Sequence, residues 1–323
     1  MKFLRPFSSV ALAALLASCA GGPLPRAVDP AWRQNIEIGD RALRHGRLPE
    51  AEAALTMALS RAEAFGPDDS RLAFALDAMG DLRAAQGSPA RAEPLYRRAL
   101  VILEKLLGPD APETTTAVSY LAETCASLGR RVEAEKLLRR AVASAEKDPA
   151  HRYAEAAARL ADLATLERAL GRDDLAEDAY RRALAVTESA LGPGHRLIAD
   201  RLNDLALFEH DRGHFDEAEP LYRRALEIKE NLAGPGDPEV LASLNDLALF
   251  EEARSKDDEA ETLYKRALEQ GEHANGGKDG AGLIAALNNY AHLLRRTGRE
   301  QQAAGLEGRA RALEARKPEG APR

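Results

Sequence analysis

Seven histidines and two cysteines are the residues of this chain best suited to metal binding or nucleophilic chemistry. The histidines are His45, His151, His195, His210, His214, His273 and His292. None lies in a His-Glu-X-X-His pattern, which would set two imidazoles on one helix face beside a general base. His210 and His214 are one helical turn apart in register, but Gly213 between them ends the helix. Two cysteines cannot form a paired-cysteine zinc site. No Gly-rich turn leads into a Lys-Ser/Thr pair, and the serines and aspartates lack a nucleophile elbow. The sequence therefore predicts no catalytic residue, metal or cofactor, and no small-molecule substrate.

The cysteines carry different messages. Cys19 closes the run Leu16-Ala17-Ser18-Cys19, behind Lys2, Arg5 and an apolar stretch from Val10 to Leu16. That stretch reads as a secretory signal and is too short to span a bilayer as a stable helix. Leu-Ala-Ser-Cys resembles a bacterial lipobox. The resemblance implies removal of residues 1–18 as a signal peptide and lipid attachment at Cys19, the first mature residue. Ala20, not Asp, follows it, which in Gram-negative lipoproteins implies sorting to the outer membrane, facing the periplasm. Removing residues 1–18 takes away Lys2 and Arg5 and no acids, so the net charge moves from −7 to −9. Residues 19–30 have no helical pattern and read as a flexible tether. Cys125, among Leu121, Ala122 and Leu128, reads as a small buried filler.

The rest of the chain repeats. Tyr96, Tyr180, Tyr222 and Tyr264 open blocks of the type Tyr-Arg-Arg-Ala-Leu on a 42-residue grid that Leu138 and Leu306 continue. Gly66-Pro67, Gly108-Pro109, Gly192-Pro193 and Gly234-Pro235 keep the same beat. A period of this size predicts stacked supersecondary units in place of one compact core. In one copy, Ile198, Leu202, Leu205 and Ala206 form the apolar stripe of a first helix. Gly213 ends that helix, and Asp216 is placed to cap the next. Ala218, Leu221, Tyr222, Ala225 and Leu226 give the second helix its stripe, and Gly234-Pro235 stops it. The first-helix turns fall at Gly46, Gly87, Gly129, Gly171, Gly213, Ser255 and Gly298. Ala206, Ala218 and Ala225 are expected where helices approach closely. Pro94 and Pro220, near the start of second helices, predict a mild distortion without a break.

This pattern resembles the tetratricopeptide repeat (TPR) family, in its 42-residue kinesin-light-chain-like form, through Leu202-Asn203-Asp204-Leu205-Ala206 and Leu287-Asn288-Asn289-Tyr290-Ala291. It implies an all-α, right-handed superhelical solenoid of about seven helical hairpins over residues 31–316, followed by a tail at 317–323. The expected units are 31–66, 70–108, 112–148, 153–192, 195–234, 237–276 and 280–316. The resemblance also implies a binding groove lined by first-helix side chains ten, nine, six and three residues before the turn. These are Asn203, Asp204, Leu207 and His210; Asn245, Asp246, Leu249 and Glu252; Asn288, Asn289, His292 and Arg295. Asp200 adds negative charge. An asparagine amide both donates and accepts, so it can hold a peptide backbone without reading its sequence. Asp77, Ser119 and Ala161 stand at the asparagine place in earlier copies, which favours the C-terminal half as the site.

The mild acidity and the glutamates interleaved with the Arg-Arg pairs argue against nucleic acid as a partner. The expectation is a lipid-anchored adaptor or scaffold of the bacterial cell envelope that binds a protein or peptide. The alternative is a structural envelope protein that assembles with itself.

Overall fold

The computed structural model describes residues 29–234, 236–273 and 280–315, so the signal segment, Cys19 and the tail at 317–323 lie outside the described residues. Fourteen α-helices and no strand occur among the described residues. They are α1 Pro30–Arg44, α2 Leu48–Glu63, α3 Ser70–Ala85, α4 Pro89–Leu107, α5 Pro112–Ser127, α6 Arg131–Ala145 and α7 Pro149–Ala169. Then follow α8 Asp173–Leu191, α9 Arg196–Asp211, α10 Phe215–Ala233, α11 Pro238–Ala253, α12 Asp257–His273, α13 Gly280–Arg296 and α14 Glu300–Glu314. Taken in pairs they are the seven hairpins of a repeat solenoid. They fall into two compact units, Met1–Ala179 and Tyr180–Arg323.

The turns follow from backbone sterics. Gly46, Gly87, Gly129, Gly171, Gly213 and Gly298 all have φ between 68° and 79°, the left-handed region that a side chain disfavours. Ser255 adopts φ 61° at the sixth turn and is the one non-glycine residue with positive φ among the described residues. As expected, neither proline breaks its helix: α4 runs through Pro94 and α10 through Pro220 as continuous helices.

One expectation needs correction. Asp216 does not cap α10, which starts at Phe215, and Asp216 is 94% exposed in its side chain. The helix starts two residues earlier than a cap at Asp216 implies, leaving Asp216 in the first turn, where its charge still favours the helix dipole. The side-chain caps lie at the starts of first helices: Asp69 accepts from the Arg71 N–H at 2.8 Å and Asp237 from the Glu239 N–H at 2.8 Å. α7 begins at Pro149, and a kink at Arg152 separates this first turn from the helix expected from 153. Proline suits the first helical turn, and the helix absorbs the extra residues at a kink where Arg152 has φ −115°.

Packing follows the small residues. Ala206, Ala218, Ala225, Ala248, Ala260 and Ala267 are fully buried, so the helices approach closely there. Larger gaps are filled by rings: Tyr222 lies 5.2 Å from Phe250 between centroids, and Phe215 lies 6.0 Å from it. In α14 the buried residues are Ala303 and Ala310, as a terminal helix with one open face should show. Cys125 is fully buried, and burial pushes its thiol up, which fits a filler.

A periodic ion pair adds to this packing. Glu167 and Glu251 are buried four residues before their turns. Arg139, on the second helix of the preceding hairpin, reaches Glu167 at 2.7 Å, and Arg223 reaches Glu251 at 3.1 Å. Arg181 and Glu209 repeat the pair on the same grid at 3.9 Å. The repeated arginines thus hold successive hairpins in register and do not form a free basic ridge.

Candidate functional site

Helices α9, α11 and α13 carry every residue of the predicted groove. Each is the first helix of its hairpin, and α13 packs on α11 as well as on α12. Helix periodicity brings residues ten, six and three before the turn onto one face.

The side chains on that face differ in availability. Asn245 is almost fully buried, and its Oδ1 accepts a hydrogen bond from Asn289 Nδ2 at 2.9 Å. That bond joins α11 to α13, so Asn245 acts first as a tie between hairpins. Glu252 accepts from Tyr264 Oη at 2.6 Å and meets Arg296 at 3.3 Å. Arg295 makes a two-pronged pair with Glu307 at 2.9 and 3.0 Å. Asp204 meets Arg201 at 2.9 Å. His210 packs edge-on against Phe250 at 5.3 Å. These contacts already commit much of the polar chemistry.

Among the described residues, Asn203 and Asn288 have no hydrogen-bond partner and His292 is exposed. Leu207 and Leu249 are 49% and 42% exposed, although their helix neighbours Leu205, Phe208, Leu247 and Phe250 are buried. Both leucines stand six residues before a turn, so consecutive hairpins repeat the same apolar knob. Asp200 is half-buried on the same wall. Asp246 stays exposed as a residue, while local burial pushes its carboxyl up, opposed by Lys229. Lys229 is itself buried and donates to Ser243 Oγ at 3.1 Å. The wall therefore offers apolar knobs flanked by amides and acids. No group of three or more His, Cys, Asp or Glu side chains suited to a metal occurs among the described residues.

The sequence reading passed over two features. The Arg–Glu pairs between hairpins were visible as a 42-residue spacing shared by Arg139, Arg181 and Arg223 and by Glu167, Glu209 and Glu251. In the first unit, Asp77 and Asp81 of α3 form an acidic cluster, whose sign was the departure of Asp77 from asparagine.

The sequence matches the tetratricopeptide repeat family over residues 35–105, 79–147, 153–231 and 239–313. No curated protein matches it. Among solved structures it resembles a tetratricopeptide repeat protein from Parabacteroides merdae, at 17% identity and a TM-score of 0.53, covering 89% of this chain and 94% of that one. It also resembles the apo form of RapI, at 14% identity and a TM-score of 0.58, covering 88% and 99%. Podosopora anserina putative kinesin light chain repeats align at 19% identity with a TM-score of 0.43, over 76% and 95%. At these identities the first two likenesses show a shared fold. With helical hairpins, positive-φ turns and family matches from residue 35 to 313, the chain belongs to the tetratricopeptide repeat family.

Proposed function

We propose that this protein is a lipid-anchored adaptor of the bacterial cell envelope that binds a protein or peptide through the first-helix wall of its C-terminal hairpins. The observation that carries the binding reading is the pair Leu207 and Leu249. Each is a large apolar side chain left open at the same place in consecutive hairpins, beside first-helix neighbours Leu205, Phe208, Leu247 and Phe250 that are buried. Repeated apolar knobs with polar neighbours suit an amphipathic or extended peptide. Wall acids such as Asp200 favour a polar or basic partner.

Anchoring rests on the sequence Leu16-Ala17-Ser18-Cys19 behind Lys2 and Arg5. Acyl chains on Cys19 would hold the array at a membrane, with outer-membrane sorting following from Ala20. The tether at 19–30 would leave the array free to reach partners near the surface, raising their effective concentration. Repeat walls of this kind act by binding, so no catalytic step is assigned.

The test is a crosslinking pull-down from native envelopes with the full protein, a Cys19→Ala form and a Leu207→Glu/Leu249→Glu form. A reproducible set of envelope proteins, weakened by loss of the lipid site and lost in the double variant, is the expected result. The same set recovered with both variants would refute the assignment. Self-crosslinks alone would identify a self-assembling structural protein.

A further inference from the structure

We propose that the first unit carries a recognition pocket for a lysine side chain of a partner polypeptide, with Asp77 and Asp81 of α3 as its anionic floor and Tyr96 and Tyr120 as its aromatic walls. The proposal rests on the reading of this chain as a protein-binding array, but it concerns a different unit from the leucine wall.

The geometry starts on α3. Asp77 and Asp81 are one helical turn apart and share a face. Tyr96 of α4 donates from Oη to Asp81 Oδ1 at 2.6 Å. Its ring lies against Gly80, where a Cβ would fall 2.6 Å from the ring carbon, so only glycine lets the tyrosine sit this close. Tyr120 of α5 stands 5.7 Å from Tyr96 between centroids, tilted by 37°. The charge of Asp77 helps push up the phenols of both Tyr96 and Tyr120, which places its carboxylate near them.

Asp77 is the feature that packing does not explain. It is 7% exposed, and its Oδ1 has no hydrogen-bond partner among the described residues. A buried acceptor without a donor destabilises the fold, and a like charge one turn away adds to the cost. The next two copies carry Ser119 and Ala161 at this place, so the repeat does not require an acid. Asp81, Tyr120 and Glu123 keep part of their surface open, so the cluster reaches solvent through them.

Arg44 and Arg159 pair with other carboxylates, although Arg159 Nε has no hydrogen-bond partner among the described residues. Arg44 is held by Asp40 at 2.5 Å, and Arg159 meets Asp162 at 3.1 Å and Glu123 at 4.0 Å. A metal does not suit the cluster, because these carboxylates do not converge as a ligand set. A primary ammonium does. It is compact, supplies three donors, and gains from the negative faces of two rings. Binding would also complete the orphaned Asp77 oxygen.

Protonation gives a second readout. Burial pushes Asp77 well above the carboxylate range and Asp81 up to about 7, with Asp81, Glu123 and Asp40 adding repulsion and the Tyr96 hydrogen bond opposing it at Asp81. An ammonium is held by ionised carboxylates, so its binding expels protons and its affinity rises with pH between 6 and 8.

The experiment uses the full chain and a fluorescein-labelled Ser-Gly-Lys-Gly-Ser peptide, its Nε-acetyl-lysine counterpart, and n-butylammonium as competitor. Anisotropy should show binding of the free-lysine peptide that strengthens from pH 6 to pH 8, and none of the acetylated one. Asp77→Asn should weaken it by roughly thirtyfold, as loss of a buried charge partner does. The same variant should raise thermal stability or leave it unchanged, which separates lost recognition from lost folding. Asp77→Ser, which copies Ser119 of the next hairpin, should behave alike. Equal binding of the acetylated peptide, or unchanged affinity in both variants, would overturn the pocket. Competition by n-butylammonium at the affinity of the peptide would overturn a polypeptide as the source of the amine. Failure here with an intact envelope pull-down would leave the leucine wall standing.

Discussion

Replacing Ser255 by glycine should stabilise this protein, although it removes atoms and adds no contact. Ser255 closes its turn with the same bonds as Gly213. Its N–H donates to the Glu252 carbonyl at 2.9 Å and the next N–H to the Glu251 carbonyl at 2.9 Å. At the other turn the Gly213 and His214 N–H groups meet the His210 and Glu209 carbonyls, also at 2.9 Å. The hydrogen bonding is therefore matched, and the difference is the Cβ at φ 61° against glycine at 77°. A left-handed L-residue costs about 1–2 kcal/mol. Glycine returns part of that through its freer unfolded chain, leaving a net gain of about 0.5–1 kcal/mol. The reverse change, Gly213→Ser, should lose a similar amount, because a Cβ there would meet nothing within 4 Å and only backbone strain is added. Urea denaturation followed by far-UV circular dichroism measures the sum. Hydrogen exchange at α11 and α12 localises it, which matters because a repeat array can open in parts. A neutral or destabilising Ser255→Gly beside a destabilising Gly213→Ser would refute the strain argument.

Gly305→Ala and Gly308→Ala should each stabilise α14 by about 0.5–1 kcal/mol, since an added Cβ meets nothing within 4 Å at either site; slower amide exchange in α14 is the check. Arg254→Ala should cost about 1–3 kcal/mol by thermal unfolding, because Arg254 pairs with Glu219 and lies 3.7 Å from the fully buried Glu251. Stability should fall at both ends of the pH scale. Glu261 is held at about 2 by Arg299 against an ordinary value of 4.5, so its contribution is full above 4.5 and lost as pH falls towards 2. Asp81 works in the opposite direction: its folded form keeps a proton up to about 7, so stability is lost as pH rises from 3.8 through 7, and Asp81→Asn should flatten that slope in urea titrations at several pH values. Cys125, fully buried with its thiol pushed up, should react with a thiol reagent only in denaturant.

Most of the fold was legible because a repeat states each rule several times. The turn glycines, the alanines at close approaches and the terminal polarity of α14 follow from local backbone sterics and helical periodicity. The misplaced start of α10 shows where that reading loses accuracy. Asp216 had the right residue type for a cap, but Phe215 already belongs to the helix. Helix ends depend on which hydrogen bonds close, and those are set by the neighbouring hairpin.

The wall was less legible. Asn203, Asn245 and Asn288 look alike in the sequence, yet Asn245 is buried and bonded to Asn289 while Asn288 is exposed. Identical periodic places diverge because each lies against a different neighbour. The sequence by itself determined the 42-residue period and the seven hairpins, since these depend on residue type and spacing along one chain. Only the tertiary structure decided that Leu207 and Leu249 stay open, that Glu251 is gripped by Arg223, and that Asp77 is buried without a donor. Burial and pairing between hairpins depend on residues far apart in the chain, and no local pattern encodes which of them meet.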